Sequence, residues 1–388
     1  MNTPMPCRKP AEARTSAAAA AIDDAELVTE EVALERAADC WDAHQALGID
    51  TEFVRERTFH ARPGLIQISS GDQAWLLDPV ALPRMPRLGR MLADANVTKV
   101  LHSVGEDLDV LYAVGGVWPQ PLFDTQVAAA MIGMPLQCRY ENLVEAAFGV
   151  ELAGGKARSD WCRRPLTAGL LRYAAEDVVW LPDLKFCLEQ ALERVGRLDW
   201  HREDCNRIVE AARAGDTTPP LSRVKGAGRL ETRELAVLNA LADWRETAAR
   251  QRDLPRRFVL SDETLIEMAR STAGEGPDQA IEALGERQRR RHEVELRDLL
   301  ASVDASAFER PPWLDPLTPA QRTQLKQAQQ VVRGLAAELG IDAAVIASKK
   351  ELTRLIRGER PDWLDGWRGT LLAGQLEEAS VSISPPSG

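Results

Sequence analysis

Three pieces of this sequence place acidic or phenolic side chains where a fold could aim them at one point. Asp50-Thr-Glu52 closes a strand-like run, Ala46 to Asp50. At i and i+2 on a strand the two carboxylates project from one face, roughly 6.6 Å apart along the chain. Asp107 stands in His102-Ser-Val-Gly-Glu-Asp107-Leu, a few residues into a helix that follows a strand. Tyr173 and Asp177 lie four apart in a helical stretch, so a phenol and a carboxylate share one face, separated by about 6 Å of rise. Taken singly, each has an ordinary explanation: a strand-ending aspartate, an acidic first turn that complements the helix dipole, an amphipathic helix with its tyrosine inside. Gathered together, carboxylates repel one another unless divalent cations lie among them, and cations so held can activate water for attack at phosphorus.

The elements that would have to gather them can be read from periodicity and turn residues. Leu65 to Ser69 and Ala74 to Asp78 follow the first strand across short spacers holding Pro63-Gly64 and Gly71-Asp72, which predicts three adjacent antiparallel strands. Val97 to His102 reads as a fourth strand entered from a helix over about 86 to 95, and Val104 to Val114 as a helix closed by Gly115-Gly116. Strands followed by alternating helices and strands predict an α/β domain over 26–215, a mixed sheet flanked by helices. Strand patterns then vanish. Residues 216–228, with Thr217-Thr-Pro-Pro220 and Lys225-Gly-Ala-Gly228, read as a linker, 229–305 as a helical module, 306–312 as a second linker around Arg310-Pro-Pro, and 313–378 as a second helical module. Residues 1–25, with an alanine run from Ala17 to Ala21, and the Ser- and Pro-rich 379–388 read as disordered.

Composition bounds the function. The chain of 388 residues is 45% hydrophobic and carries a net charge of -11, which supports two or three cores and argues against a generally basic nucleic-acid coat. A polyanion would have to be bound locally. Apolar runs fall short of a membrane span. Six singly scattered cysteines offer no zinc-ligand spacing and fit a cytoplasmic protein.

The conjunction in order of a D-x-E strand, an E-D-L helix start and a Y-x-x-x-D helix resembles the DEDD exonuclease superfamily in its tyrosine-bearing branch. Local wording narrows this further. Asp50-Thr-Glu-Phe-Val, Gly64-Leu-Ile-Gln-Ile, Leu101-His-Ser-Val-Gly-Glu-Asp-Leu, Pro119-Gln-Pro-Leu-Phe-Asp-Thr-Gln126, Ser159-Asp-Trp161 with Arg164-Pro-Leu166, and Tyr173-Ala-Ala-Glu-Asp177 resemble the ribonuclease D family. Ala242-Asp-Trp-Arg-Glu with Arg252-Asp-Leu-Pro, and Ile346-Ala-Ser-Lys-Lys-Glu-Leu with Gly366-Trp-Arg368, resemble its two helicase-and-ribonuclease-D C-terminal (HRDC) modules. The resemblance implies a ribonuclease H-like exonuclease domain followed by two all-α HRDC modules. It also implies a 3′→5′ exoribonuclease that releases nucleoside 5′-monophosphates and trims tRNA precursors and other small structured RNAs. Asp50, Glu52, Asp107 and Asp177 would hold two Mg²⁺ or Mn²⁺ ions, hard cations that take oxygen donors, and Tyr173 would orient the attacking water.

Further residues are weighed against plainer roles. Phe53 and His102 adjoin the ligands and could touch the terminal nucleotide, Phe53 by stacking. Lys156, in Gly154-Gly-Lys, lacks the Ser or Thr and the glycine spacing of a phosphate loop and is kept as a contact to the scissile phosphate. Asp124 and Asp160 are given structural or supporting roles. The basic run Arg287 to His292 is a solvated helical face or an RNA contact, and Lys349-Lys350, at a helix start, is the place to look for RNA on the second module. Two rival readings stand beside the exoribonuclease: a catalytically idle RNA-binding adaptor, and a DNA-directed 3′→5′ exonuclease. Because all the ligands precede residue 180, removing everything from about 226 is expected to leave a folded exonuclease.

Overall fold

The computed structural model describes residues 12–155, 159–274, 276–282 and 284–379. In chain order the elements are α1 (Glu12–Asp23), β1 (Glu26–Val28), α2 (Glu31–Trp41), β2 (Ala46–Val54), β3 (Arg62–Ser69), β4 (Ala74–Leu77), α3 (Pro86–Ala93), β5 (Thr98–Leu101), α4 (Asp107–Gly115), β6 (Leu122–Asp124), α5 (Thr125–Met131), α6 (Tyr140–Phe148), α7 (Ala168–Val179), α8 (Leu181–Arg194) and α9 (Leu198–Ala214). Then come α10 (Thr232–Gln251), α11 (Arg256–Val259), α12 (Asp262–Gly274), α13 (Pro277–Glu282), α14 (Glu286–Ser302), α15 (Pro319–Leu339), α16 (Ala343–Ile346), α17 (Lys349–Ile356) and α18 (Trp367–Glu378). No helix among the described residues is long and apolar enough to cross a membrane.

The six strands form one sheet in the order β1-β4-β3-β2-β5-β6. The three antiparallel neighbours read from the sequence are β2, β3 and β4, with β5 and β6 added parallel beyond β2 and β1 added parallel beyond β4. β1 and β6 escape a pattern reading because three residues are too few to show alternation. Leu47 and Ile49 point from β2 into a core with Ile66, Ile68, Trp75 and Leu77, closed by side chains of α2, α3, α4 and α9. Gly48, Asp50 and Glu52 therefore face the other way. A Cβ on Gly48 would lie 2.6 Å from the Val178 carbonyl and 2.8 Å from Leu181 Cβ. The bare glycine is what lets α7 and α8 settle directly on β2, on the side where its carboxylates project.

The chain divides into two compact units. The first holds residues up to Val54, Ala61–Gly215 and Ala320 onward; the second holds Arg55–His60 and Asp216–Pro319. Three sequence expectations are corrected here. Residues 12–23, read as disordered, form a helix with Ala18, Ala21 and Ile22 buried. Its contacts use small side chains, so no broad apolar stripe marks it. The stretch 216–228, read as a linker, contributes Leu221, Val224 and Ala227 to the core of the second unit, where they meet Leu235, Leu238, Leu265 and Leu296. Residues 320–379, read as a module of their own, belong to the same unit as the exonuclease domain.

That last attachment rests on a buried charge. The Arg368 guanidinium forms a two-pronged pair with Asp204 of α9, one prong at 2.7 Å, and also donates to the Val345 and Ile346 carbonyls. The side chains are 8% and 6% exposed, and beside them Trp200 and Trp367 stack at 4.3 Å. Without Arg368, Asp204 keeps only the longer contacts to Arg207 at 3.4 Å and the Trp367 indole at 3.3 Å, and breaking a buried pair costs about 3 to 5 kcal/mol. Arg368→Met is accordingly expected to lower unfolding stability by about 3 kcal/mol in urea titrations, and Arg368→Met with Asp204→Leu to recover most of it. A loss under about 1 kcal/mol in the single variant would show that the pair is not a main attachment. A cut at 226, which leaves Asp204 and Trp200 bare, is expected to damage the exonuclease unit, contrary to the reading from sequence.

In the second unit, Phe59 packs among Ala248, Ala249 and Val259. Asp253 Oδ1 accepts the backbone N–H groups of Phe59 and His60 at 3.0 and 2.9 Å. Of the basic run in α14, Arg287, Arg290 and Arg291 are exposed and line a surface hollow with Glu286, while His292 is buried against Trp244 and Arg252. In the first unit, Lys349 and Lys350 open α17 and are exposed, behind a Ser348–Glu351 capping box.

Candidate active site

Carboxylate oxygens of Asp50, Glu52 and Asp177 all lie within 4.8 Å of one another. The first two come from one face of β2 and the third from α7, which crosses that face. Asp177 reaches the pair because α7 is seated closely on Gly48 and because Thr167 caps its first turn, accepting the Leu170 N–H. The fourth acid, Asp107, comes from the start of α4. Its Oδ1 accepts the Thr51 hydroxyl at 2.5 Å, and Thr51 points to the opposite side of β2 from its two neighbours. Asp107 thus stands outside the close trio. Its charge is nevertheless among those that raise Asp50 and Glu52.

Electrostatics describe the same cluster. Burial, then Asp107, Asp177 and Glu52, push the Asp50 carboxyl well above the usual carboxylate range. Burial with the Asp177 and Asp107 charges raises Glu52 to about 9. Burial raises Asp177 to about 7 and Asp107 to about 6, against the opposing hydrogen bonds from Tyr173 and Thr51. Acids that cannot all ionise together form a set that cations would relieve. The donors are all hard oxygens, so these residues fit Mg²⁺ or Mn²⁺ and not a thiolate-loving ion.

Tyr173 donates its phenol to Asp177, one turn on, and its ring lies 6.1 Å from Trp161, which is fully buried. Burial and the charges of Asp177, Glu52 and Asp50 hold its proton on well beyond the ordinary phenol range. Trp161 is held in turn by Arg164, which grips Asp78 with two hydrogen bonds of 2.6 and 2.7 Å and donates to the Trp161 and Gly64 carbonyls. This is the physical content of the Ser159-Asp-Trp and Arg164-Pro pieces of the sequence.

The loop before α4 is fastened by Asp124. Its carboxylate caps α5 through Gln126 and Val127 and accepts the N–H groups of Ser103 and Val104 at 3.1 and 2.9 Å, holding Ser103 at φ +62°. Asp124 therefore has the supporting role expected of it, and exposed Asp160 accepts turn N–H groups, that of Cys162 at its side chain and that of Arg163 at its carbonyl. His102 engages both ring nitrogens inside the fold, Nδ1 with Thr125 Oγ1 at 2.8 Å and Nε2 with the Cys138 carbonyl at 3.0 Å. Burial lowers its basicity, so the neutral ring is a loop anchor and has no free nitrogen to offer RNA. Phe53 is half-buried against the core on the far side of the sheet from Asp50 and Glu52. Lys156 lies outside the described residues.

Two neighbours were not legible in the sequence. Thr51, as the spacer of the D-x-E, carries no signal of its own in the sequence. Tyr140, buried, donates to the Glu176 carbonyl at 3.3 Å and feels the charges of Asp177 and Asp50, but no spacing ties it to either. Thr51→Val keeps the shape and deletes the hydroxyl that fixes Asp107. If Asp107 takes part in holding metal, its outer partner is worth about 10- to 100-fold, and the expected result is a fall in kcat of about tenfold with the melting temperature nearly unchanged. Wild-type turnover would show that the hydroxyl does not position Asp107.

A largely buried acidic cluster on the face of a mixed sheet that α7 and α8 cover, with a protonated tyrosine on the helix that completes it, defines the class of 3′→5′ exonucleases. Residues 25–193 match the model of the 3′-5′ exonuclease family, and residues 234–296 that of the HRDC domain. Ribonuclease D of Shewanella sp. (strain ANA-3) is 35% identical over 91% of this chain and 94% of its own length, and that of Escherichia coli (strain K12) is 32% identical over 90% and 97%. The crystal structure of Escherichia coli RNase D, described as an exoribonuclease involved in structured RNA processing, superposes with a TM-score of 0.82 over 92% of this chain and 98% of its own. The chain belongs to the ribonuclease D family.

Proposed function

We propose that this protein is a divalent-metal-dependent 3′→5′ exoribonuclease that releases nucleoside 5′-monophosphates and trims the 3′ ends of tRNA precursors and other small structured RNAs. The observation that carries this reading is the convergence of Asp50, Glu52 and Asp177 within 4.8 Å in an exonuclease fold, with Asp107 and Tyr173 beside them. Two divalent ions, bound by the four carboxylates, would supply charge stabilisation at phosphorus and a more acidic water. Asp50 and Glu52, on the rigid strand, fix one side of the site. Asp177 approaches from α7, and Tyr173, keeping its proton, orients the attacking water by hydrogen bonding and does not act as its base. Arg287, Arg290 and Arg291 on one unit and Lys349 and Lys350 on the other are the exposed cations we assign to RNA phosphates.

The substrate reading is tested on a tRNA precursor with a short 3′ trailer, beside an unstructured RNA and a DNA of the same trailer sequence. Stepwise trimming of the precursor, slowing at the stem, with little action on DNA is expected. Faster digestion of DNA than of either RNA would contradict it.

A further inference from the structure

The described N-terminal helix lies ahead of the segment that matches the exonuclease family, which begins at residue 25. It nevertheless packs on α7, the helix that carries Tyr173 and Asp177. Ala18 and Ala21, 1% and 4% exposed, bring its axis close, and Asp23 pairs with Arg172 on the outer side of α7. The principal contact is Arg14. Its Nη2 donates to the Val179 carbonyl at 3.0 Å and its Nε to Asp183 at 2.9 Å. Its guanidinium lies 4.8 Å over the Trp180 ring, with the Asp72 carboxylate at 4.0 Å.

These contacts fall at one place. Val179 is the last residue of α7, Trp180 caps it and Asp183 lies in the first turn of α8. The final carbonyls of a helix have no partner within it, and a cation there also meets the negative end of the helix dipole. Arg14 fills both needs and ties the α7 end to the α8 start, two residues past Asp177. The fork, the stacking face and the fixed charge are all used, a combination lysine cannot reproduce.

We infer that Arg14 is a positioning residue of the active site: by clamping the α7–α8 junction it holds Asp177 at the distance from Asp50 and Glu52 that metal binding requires. This rests on the metal reading above. Asp177 is the one acid of the close trio that does not come from β2, so the trio's spacing depends on where α7 is held.

The test is calorimetric titration of Mn²⁺ into the full-length protein, with kcat and KM on a short RNA. Arg14→Gln is expected to weaken Mn²⁺ binding about five- to tenfold, the scale of outer-partner effects on metal sites, and to lower kcat by a similar factor. KM should stay within about twofold. Asp23→Asn, which removes only the exposed pair, should match wild type. If Arg14→Gln does not fold, Arg14→Lys is read in the same way and should show a smaller loss of the same kind. A folded variant with a lower melting temperature but wild-type Mn²⁺ affinity would overturn the inference. Asp177→Asn, titrated in parallel, separates the two claims: if it binds Mn²⁺ like wild type, the metal reading itself fails, and if it loses Mn²⁺ while Arg14→Gln does not, only the role of Arg14 is lost.

Discussion

Asp177→Asn is expected to lower exonuclease turnover by at least about a thousandfold and, in the same protein, to raise the melting temperature measured without metal. The first effect follows from the proposed function, in which Asp177 is one of the carboxylates that hold the cations. The second follows from the cluster itself. In the folded, metal-free protein Glu52 is raised to about 9 and Asp177 to about 7, above the values near 4 that carboxyls show in an unfolded chain. Between those limits the folded state holds protons that the unfolded state releases, so stability falls as pH rises from about 4.5 towards 9. Removing one acid relieves the others. The gain in melting temperature should therefore be largest near pH 8 and shrink towards pH 5, and Mg²⁺ should stabilise wild type more than the variant. Turnover within threefold of wild type would exclude Asp177 as a ligand. An unchanged or lower metal-free melting temperature near pH 8 would mean that the acids do not repel as described.

Tyr173→Phe should lower kcat by about a hundredfold with KM for RNA within about twofold, the scale of a positioned proton-bearing group. The substitution keeps the ring against Trp161 and deletes only the hydroxyl, which donates to Asp177. Because burial and three carboxylates hold the proton on that oxygen, orientation is the role proposed for the phenol, and the kcat profile should show no rising limb from its ionisation. If Tyr173→Phe turns over normally while Tyr173→Ala merely melts earlier, the tyrosine is a core residue.

How far these features were legible in the sequence depends on the range of the interaction behind each. The D-x-E was visible because strand alternation is local: a period of two fixes Asp50 and Glu52 on one face whatever surrounds them. The four-residue step from Tyr173 to Asp177 was legible for the same reason on a helix. Asp107 could be placed only by its company, since the hydroxyl that holds it belongs to Thr51, a residue 56 positions away. The Arg368–Asp204 pair spans 164 positions, and nothing in the local sequence around either residue signals that its charge is buried. The first helix was misread because alanines pack by being small: Ala18 and Ala21 are buried with no large apolar stripe to announce them. His102 shows the converse error. Proximity in the chain to a ligand suggested a substrate contact, whereas its two nitrogens are spent on Thr125 and Cys138.

The central claim is most directly tested by following a 5′-labelled RNA oligomer with the full-length protein, with Mg²⁺ and then with excess chelator, while identifying the product released. The account predicts a ladder shortening one nucleotide at a time from the 3′ end, nucleoside 5′-monophosphates as the small product, complete arrest by chelator and recovery on adding Mg²⁺ or Mn²⁺. Internal cleavage, release of 3′-monophosphates, or undiminished turnover in chelator would contradict it.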